Sequence, residues 1–411
     1  MRYIVDFHIH SKYSRATSPL MDVANLALAA ERKGIDVLAT GDITHPQYLK
    51  ELKTKLVEDG SGLLELKKGN KTKFILSGEI SCIYKDKGKT RRVHLLLLVP
   101  DFATIEKINS KLTERGCNLR SDGRPMIGLS AKELAGICFE ANSRSVIIPA
   151  HAWTPWYAIF GSKSGYDSLE ECFEELTPKI FAFETGISSD PEMNWRLSAL
   201  DSLALISNSD AHSLGNLGRE ANAFDFADGV SFDLLMEALR TRNKKNFLFT
   251  IEFFPQEGKY YDDGHLDCAF ACSSTQSKEL KSICPKCKKE LTLGVNHRIA
   301  ELADRELGHV PPGSIPFKYI IPLQEIIAEC LQKSKTTKGV QAMYEKMLSQ
   351  GNNEFEILLD LSREEISSLG NSLIAEAIMR MREKKVIATP GYDGKSGIVT
   401  VFAPGEIESL S

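Results

Sequence analysis

The chain has 411 residues, of which 42% are hydrophobic and 26% charged, and its formal net charge at pH 7 is −4. This composition is typical of a soluble globular protein with two or three domains, and the slight negative charge argues against a protein that coats itself in nucleic acid. No apolar run approaches the ~20 residues of a membrane helix, and the N-terminus enters a strand without a signal peptide. We therefore expect a cytoplasmic protein with no membrane partner.

Residues 1 to about 250 alternate short apolar runs with helical patterns. A helix is predicted over 22–33 with Gly34 as its C-terminal cap, and Ser130 and Ser231 are predicted to begin two more helices. This alternation predicts a parallel sheet of about seven strands, one fewer than the usual β/α barrel of eight.

Histidines and carboxylates follow these apolar runs, one run after another. In a barrel of parallel strands the carboxyl ends open on one face, so we expect these side chains to meet there. Imidazole and carboxylate are the ligands of Zn, Mn and Fe, which predicts a multinuclear metal site. The candidates are His8, His10, Asp42, His45, Glu79, His151, Glu184, Asp210 and His212.

The spacing within this set suggests a hydrolytic centre. His8 and His10 lie on the same side of one strand, because side chains alternate, so both can reach one ion. Glu79 is a natural bridge, since its two oxygens can serve two ions. Paired ions lower the pKa of a bridging water and stabilise an in-line displacement at phosphorus. Hydrolysis of this kind needs no nucleophilic Ser or Cys.

Three assignments stay open on the residues alone. His45 either binds an ion or orients Asp42. Glu184 is a ligand, a general base or a structural acceptor. His94 begins its apolar run, so it is predicted to lie on a hairpin that extends from the rim near Glu79.

The pattern changes after Pro255, where strand and helix periodicity fade and cysteines cluster. Cys284-Pro285-Lys286-Cys287 has the spacing of a zinc knuckle, which predicts one structural Zn with four ligands. The candidate ligands are Cys284, Cys287 and Cys268, with His265 and Cys272 competing for the fourth place.

Proline and glycine between 311 and 316 indicate a linker, and helical patterns follow it. We therefore predict three domains: a barrel at 1–254, a zinc-binding domain at 255–312 and a mainly helical domain at 313–411.

Two further segments carry alternatives. The basic run after the third predicted strand is either a solvated hairpin or a lip that tracks phosphates; it comprises Lys85, Lys87, Lys89, Arg91 and Arg92. The aromatic stretch after His151 and the small polar loop beyond it either pack against the barrel rim or form a stacking platform and pocket for an extruded base. The residues concerned are Trp156, Tyr157, Gly161, Ser162, Lys163, Ser164, Gly165 and Tyr166.

Several motifs resemble the PHP (polymerase and histidinol phosphatase) superfamily. They are D-F-H-I-H at 6–10, G-E-I-S at 78–81, P-A-H at 149–151 and S-D-A-H at 209–212. The resemblance implies a distorted seven-stranded β/α barrel with two or three divalent metals (Zn, Mn or Mg), and it adds His94 to the ligands. One departure is that Asp42 and His45 are separated here, whereas the superfamily usually has Asp and His adjacent.

Within the superfamily the chain is most similar to the endonuclease Q family. The motifs are G-D-I-T-H-P at 41–46, H-A-W-T-P-W at 151–156, F-E-T-G-I-S-S-D-P at 183–191, C-P-K-C at 284–287 and P-G-Y-D-G at 390–394. The resemblance implies a DNA-repair endonuclease that cuts 5′ to deaminated bases (uracil, hypoxanthine, xanthine) or abasic sites, and it favours His265 as the fourth zinc ligand. The catalytic residues it implies are Asp210, Glu79, His8, His10 and Glu184.

This interpretation makes damaged DNA the partner and predicts association with the nucleoid. No convincing sliding-clamp motif is present, so a clamp partner stays open. Two other functions remain at this point: a phosphatase acting on a small phosphomonoester, and a non-catalytic binding module that retains a metal site.

Overall fold

A mixed sheet of eleven strands forms the centre of the fold. The computed structural model describes residues 1–410. The strands are β1 (Arg2–Asp6), β2 (Val37–Ala39), β3 (Leu56–Glu58), β4 (Leu64–Leu66), β5 (Lys73–Asp86), β6 (Lys89–Val99), β7 (Met126–Ile127), β8 (Val146–Pro149), β9 (Ala182–Glu184), β10 (Ala204–Ile206), β11 (Ala221–Asp225), β12 (Phe247–Glu252), β13 (Asp263–His265), β14 (Phe270–Cys272), β15 (Phe317–Tyr319), β16 (Ile387–Thr389) and β17 (Ile398–Thr400).

Helices cover the sheet and make up most of the C-terminal region. They are α1 (Val23–Lys33), α2 (Pro46–Lys55), α3 (Phe102–Glu114), α4 (Ala131–Ala141), α5 (Leu169–Phe173), α6 (Pro191–Asn194), α7 (Phe232–Thr241), α8 (Ser274–Glu279), α9 (Val295–Leu302), α10 (Leu323–Cys330), α11 (Lys338–Leu348), α12 (Glu354–Leu359), α13 (Arg363–Leu369), α14 (Ser372–Arg382) and α15 (Glu406–Leu410). Within residues 1–410, none of these helices has both the length and the apolar character needed to cross a membrane.

Local sequence signals set the ends of the helices around the central sheet. The Asp22 carboxylate accepts hydrogen bonds from the first turn of α1, and Gly34 ends that helix with φ 86° in the left-handed region. Ser130 forms a capping box with Glu133 at the start of α4, and Ser231 caps α7. These helix starts confirm the predictions made from the sequence.

The prediction of parallel pairing holds for part of the sheet only. β1, β2 and β5 are parallel neighbours, but β6 runs antiparallel to both β5 and β8, and β11 runs antiparallel to β1. The reason lies at residues 87–88, where Lys87 and Gly88 both have positive φ and form a tight turn. The chain reverses there directly, without the crossover helix that a parallel neighbour requires.

The strands that surround the candidate site form ladders along only part of their circuit. Ladder pairing runs from β1 through β2, β5 and β6 to β8, whereas β9 and β10 form a separate parallel pair. The Ala152 N–H donates to the Glu184 carbonyl at 3.0 Å, and the His10 N–H donates to the Ala211 carbonyl at 2.9 Å. These contacts join the pair to its neighbours, so the sheet is not one uninterrupted barrel ladder.

The predicted linker leads back into the central sheet. β15, which follows residues 311–316, pairs in parallel with β12. Apolar residues of α10, α11 and α14 belong to the same core as those of β1 and β5. The division into 1–254, 255–312 and 313–411 stays a prediction, and its last residue, Ser411, lies outside the described residues.

Candidate metal centre

Two histidines at the end of β1 face two carboxylates from distant segments. Nε2 of His10 lies 3.0 Å from Oδ1 of Asp210 and 3.2 Å from Oε2 of Glu79. Nε2 of His8 lies 3.6 Å and 3.7 Å from the same two oxygens. His8, His10 and Glu79 are fully buried. The four side chains therefore form one compact group of potential ligands.

Three atoms of this group have no hydrogen-bond partner. They are Nε2 of His8, Nε2 of His10 and Oδ1 of Asp210, and all three are buried. Buried polar atoms are normally satisfied, so such a cluster needs an explanation. Two ligands ~2.0–2.2 Å from one ion lie roughly 3.0–3.6 Å apart, which is close to the spacing found here. The group fits a divalent cation.

A second group shares Glu79 with the first. Oε1 of Glu79 lies 2.6 Å from Nδ1 of His94 and 3.0 Å from Nε2 of His151, and the two nitrogens are 3.2 Å apart. Burial lowers the pKa of His94 to about 4 despite the nearby Glu79, so the ring is neutral and can coordinate a metal. Each oxygen of Glu79 thus faces a different ligand group.

Two more carboxylates contact the far side of the imidazoles. Both oxygens of Glu184 approach Nδ1 of His8, at 3.0 and 3.1 Å, and they also accept from the His151 N–H and the Asn208 amide. Such contacts fix the ring and the tautomer of a metal-binding histidine. Glu184 is thus placed to position His8, and its predicted role as a ligand or a general base stays a prediction.

Asp42 has the same relation to His10. Its Oδ1 lies 3.2 Å from Nδ1 of His10 and accepts from the Ser14 hydroxyl, while Oδ2 accepts from the Ser11 N–H and hydroxyl. Asp42 lies outside both ligand groups and accepts from serine donors on both of its oxygens, and its predicted ligand role stays a prediction.

His45 and His212 also lie outside both groups. Nδ1 of His45 accepts from the Tyr48 N–H and caps α2, and its ring stacks on Tyr13. Its backbone N–H donates to the Asp42 carbonyl at 3.0 Å, and its predicted role at the metal centre stays a prediction. The ring of His212 lies 4.4 Å from the ring of His10. Within residues 1–410, two groups meet at Glu79, and no third group joins them.

Three residues of this site have a strained backbone conformation. Asp42, His151 and Asp210 all have positive φ, at 48°, 29° and 45°. This conformation is uncommon for residues other than glycine and persists only where the surroundings impose it. Gly186 permits the turn at His151, because a Cβ there would lie 2.8 Å from the His151 Cα.

A separate group of ligands lies in the segment after β12. His265, Cys268, Cys284 and Cys287 offer atoms within 4.8 Å of one another. Sγ of Cys287 lies 3.9 Å from the ring nitrogens of His265. Cys272 is buried beside this group but is not part of it. The donor set is that of a structural zinc site.

A cleft of about 460 Å³ opens next to the metal centre. His151, Glu184 and Asp210 lie on one side, and Glu257 and Tyr260 on another. Glu325 and Lys335, from the C-terminal region, also line it. The sequence analysis missed this cleft, because residues far apart in the chain form its walls and leave no local pattern.

The loop predicted to receive a base lies away from this cleft. Tyr166 and Ser164 are buried, and Gly161 packs against the backbone of residues 154–155. Arg298 bonds to the carbonyls of Phe160 and Tyr166 and fixes the loop to α9. The Ser164 hydroxyl and the carbonyls bonded by Arg298 are engaged within the protein, which favours the packing alternative, and the base-binding alternative stays a prediction.

The other residues predicted to bind a base mostly contact neighbouring parts of the protein. Trp156 packs edge to face on Tyr260, Tyr157 packs on His94, and the Ser162 hydroxyl donates to the Leu293 carbonyl. Lys163 is exposed, with Glu290 3.7 Å away, and Gly165 accepts a hydrogen bond from Arg91.

The five basic residues of the hairpin differ in exposure. Lys85, Lys87 and Lys89 are exposed at the tip of β5 and β6. Arg91 is buried and its guanidinium lies 3.8 Å from the centre of the Tyr166 ring, and Arg92 lies over Tyr157. The three lysines are therefore accessible to a large ligand.

Comparison with solved structures covers the whole chain. The lesion-specific endonuclease PfuEndoQ from Pyrococcus furiosus matches with a TM-score of 0.87 and 33% identity, over 100% of this chain and 98% of that one. A structure of endonuclease Q in complex with a 27-mer duplex, which carries an abasic lesion at the active site, matches with a TM-score of 0.87 and 34% identity, over 99% and 98% of the two chains. The chain belongs to the endonuclease Q family.

Two further matches are to a family model and to a sequence relative. Residues 322–385 match a family model described as the MJ0043 C-terminal domain. Uncharacterized protein MJ0043 of Methanocaldococcus jannaschii is 30% identical over 264 residues, which is 63% of this chain and 32% of that protein. The chain thus spans about a third of the length of this relative.

Three residues at the endonuclease Q site were missed from the sequence. Asn208 holds Glu184, Arg219 donates to the Ser209 carbonyl beside the cleft, and Arg124 contacts Glu79. Asn208 and Arg219 flank the S-D-A-H motif, so its neighbours offered a signal. Arg124 lies in a segment without strand or helix periodicity, and no recognisable motif marks it.

Proposed function

We propose that this protein is a metal-dependent DNA-repair endonuclease that hydrolyses the phosphodiester bond 5′ to a deaminated base (uracil, hypoxanthine or xanthine) or an abasic site. The observation that carries the proposal is the position of Glu79. One buried carboxylate faces two separate ligand groups, and the Nε2 atoms of His8 and His10 have no hydrogen-bond partner. This arrangement is typical of paired-metal hydrolysis at phosphorus.

Some residues of the site would bind the ions, and others would orient the side chains that bind them. His8, His10, Glu79 and Asp210 would bind one ion, and Glu79, His94 and His151 the other. Bound divalent ions supply an acidified water and stabilise negative charge on phosphate oxygens. Glu184 and Asp42 keep the imidazoles of His8 and His10 turned toward the centre.

The nature of the substrate is supported by the family and by the cleft. The solved relatives are a lesion-specific endonuclease and a complex with lesion-bearing duplex DNA. Chemistry next to a damaged base requires the nucleotide to leave the helix and enter a pocket. The cleft beside Asp210 has the space, an aromatic ring at Tyr260 and N–H donors at Arg219 and Lys259. A deaminated base presents carbonyl oxygens, which need such donors.

The exposed lysines of the hairpin suit the DNA backbone. Lys85, Lys87 and Lys89 would neutralise phosphates and make binding salt-dependent. A DNA substrate of this kind implies association with the nucleoid. One structural Zn, held by His265, Cys268, Cys284 and Cys287, would stabilise the segment that forms one wall of the cleft.

The test uses end-labelled DNA with a single uracil, hypoxanthine, xanthine or abasic site, and an unmodified control, with Mn²⁺ or Mg²⁺. We expect one break 5′ to the lesion and none in the control. Asp210→Ala should abolish cleavage but spare DNA binding, because Asp210 contacts the centre and not the DNA-binding lysines. Cleavage of a chromogenic phosphomonoester with no cut in any of these DNAs would instead favour the phosphatase.

A further inference from the structure

Arg124 lies against the carboxylate that both ligand groups share. Its Nη1 donates to Oε2 of Glu79 at 3.0 Å. Its side chain is 30% exposed, whereas that of Glu79 is fully buried. No other hydrogen bond from this guanidinium is found within residues 1–410, so its remaining N–H groups are available to a ligand.

The backbone fixes this position tightly. The Gly123 N–H donates to the Tyr13 carbonyl at 2.9 Å, and the Ser81 N–H donates to the Pro125 carbonyl at 3.0 Å. β7 then pairs with β5, the strand that carries Glu79. A Cβ at Gly123 would lie 2.3 Å from Oδ2 of Asp42, so this close approach requires glycine. Backbone hydrogen bonds on both sides of Arg124 therefore fix the segment that places it beside the metal centre.

The charges around the guanidinium indicate which kind of ligand it can bind. Within residues 1–410, Glu79 is the one carboxylate that forms an ion pair with Arg124, and the same carboxylate faces both candidate cation sites. When cations share Glu79, Arg124 is left beside additional positive charge. An arginine so placed is stabilised by an anion that enters the site, and its planar fork suits phosphate oxygens.

Nearby arginines differ in this respect. Arg15 pairs with Asp122 at 3.3 Å and is mostly exposed. Arg120 is exposed and forms no ion pair within residues 1–410. Of these three side chains, only that of Arg124 contacts the metal centre.

We propose that Arg124 is a catalytic residue that donates hydrogen bonds to a non-bridging oxygen of the scissile phosphate. The proposal rests on the proposed function. As the oxygen of the attacking water bonds to phosphorus, this water releases a proton to solvent, the bond from phosphorus to the leaving oxygen breaks, and the leaving oxygen takes up a proton from solvent water. Arg124 keeps its own protons and stabilises the charge that develops on the phosphate.

The experiment compares Arg124→Ala, Arg124→Lys and the matched control Arg120→Ala, which removes the same charge from the same segment. Single-turnover cleavage of abasic duplex is measured at saturating enzyme, together with DNA affinity and bound metal by mass spectrometry. We expect Arg124→Ala to slow the cleavage step about 10²–10³-fold, the usual loss for one transition-state donor, with metal content unchanged. Arg124→Lys should fall between, and Arg120→Ala should cleave at the wild-type rate.

Chemical rescue separates a missing donor from a distorted site. Added guanidinium should restore part of the activity of Arg124→Ala but none of that of Asp210→Ala. Wild-type cleavage by Arg124→Ala, loss of metal in that variant, or failure of guanidinium to restore it would each overturn the proposal while leaving the endonuclease function standing. Absence of lesion cleavage by the wild-type protein would overturn both.

Discussion

The carboxylate of Glu184 holds Nδ1 of His8 at 3.0 and 3.1 Å, and this contact turns Nε2 of the same ring toward Asp210 and Glu79. Asp42 holds His10 in the same way. The two histidines of one strand end are thus each fixed by a carboxylate from a different part of the chain. The residues that orient the ligands are as specific as the ligands themselves.

Glu184→Gln should weaken metal binding at the first ligand group. The amide cannot accept from His8, the His151 N–H and Asn208 with both of its polar atoms, so the His8 ring loses its fixed orientation. We expect the metal affinity to fall roughly 10–100-fold, measured by competition with a chelator. Glu257→Gln, in the same cleft but without contact to a ligand, is the control. An unchanged affinity in Glu184→Gln would contradict the positioning role.

Glu79→Gln should lose both ions of the candidate metal centre, whereas His94→Ala should lose one. The reason is that only Glu79 belongs to both ligand groups. Metal content per protein, measured by plasma mass spectrometry after dialysis, distinguishes the two variants. Retention of two tightly bound ions by Glu79→Gln would show that the carboxylate is not shared.

His45→Ala should reduce stability without affecting the metals. Its ring caps the first turn of α2 and lies outside both ligand groups. Loss of an N-cap costs about 1 kcal/mol, which urea denaturation can measure as a lower free energy of unfolding. His10→Ala serves as the comparison, since it should lose metal. If His45→Ala loses an ion at unchanged stability, the motif-based ligand role is correct after all.

The Cys284→Ser/Cys287→Ser double variant should lose one equivalent of zinc, and Cys272→Ser should lose none. Cys272 is buried beside the other cysteines but lies outside the group of four. Zinc released by a thiol-reactive reagent, and counted with a colorimetric chelator, provides the measurement. A full loss in Cys272→Ser would transfer the fourth ligand from His265 to Cys272.

Stability should fall as the pH rises from about 5 to 8, and Glu252→Gln should flatten this dependence. Burial raises the pKa of Glu252 to about 8 and also raises the pKa of its buried neighbour Glu220. An unfolded glutamate loses its proton near ~4.3, so between these values the folded state holds a proton that the unfolded state has lost. Its contribution is therefore complete at low pH and is lost as the pH approaches 8.

The measurement is the free energy of unfolding in urea at several pH values. One group contributes a slope of at most about 1.4 kcal/mol per pH unit. Glu237→Gln, an exposed change on α7, should keep the wild-type slope. Equal slopes in Glu252→Gln and the wild type would show that Glu252 ionises at its ordinary pKa in the folded protein.

The sequence alone identified the chemistry because its signals are local. A histidine pair two residues apart lies on one side of a strand, and a Cys-x-x-Cys knuckle can close on one ion wherever the rest of the chain runs. The chain order of the carboxylates after apolar runs was enough to bring His8, His10, Glu79 and Asp210 into one hypothesis. These are the residues that the structure places together.

Only the tertiary structure separated ligands from the residues that hold them. Asp42 and Asp210 follow similar apolar runs. Serines donate hydrogen bonds to both oxygens of Asp42, whereas Oδ1 of Asp210 has no hydrogen-bond partner. The antiparallel turn at residues 87–88, the guanidinium of Arg124 and the walls of the cleft all depend on which distant segments pack together. Contacts of this kind arise from packing across the whole chain, and no short stretch of residues encodes them.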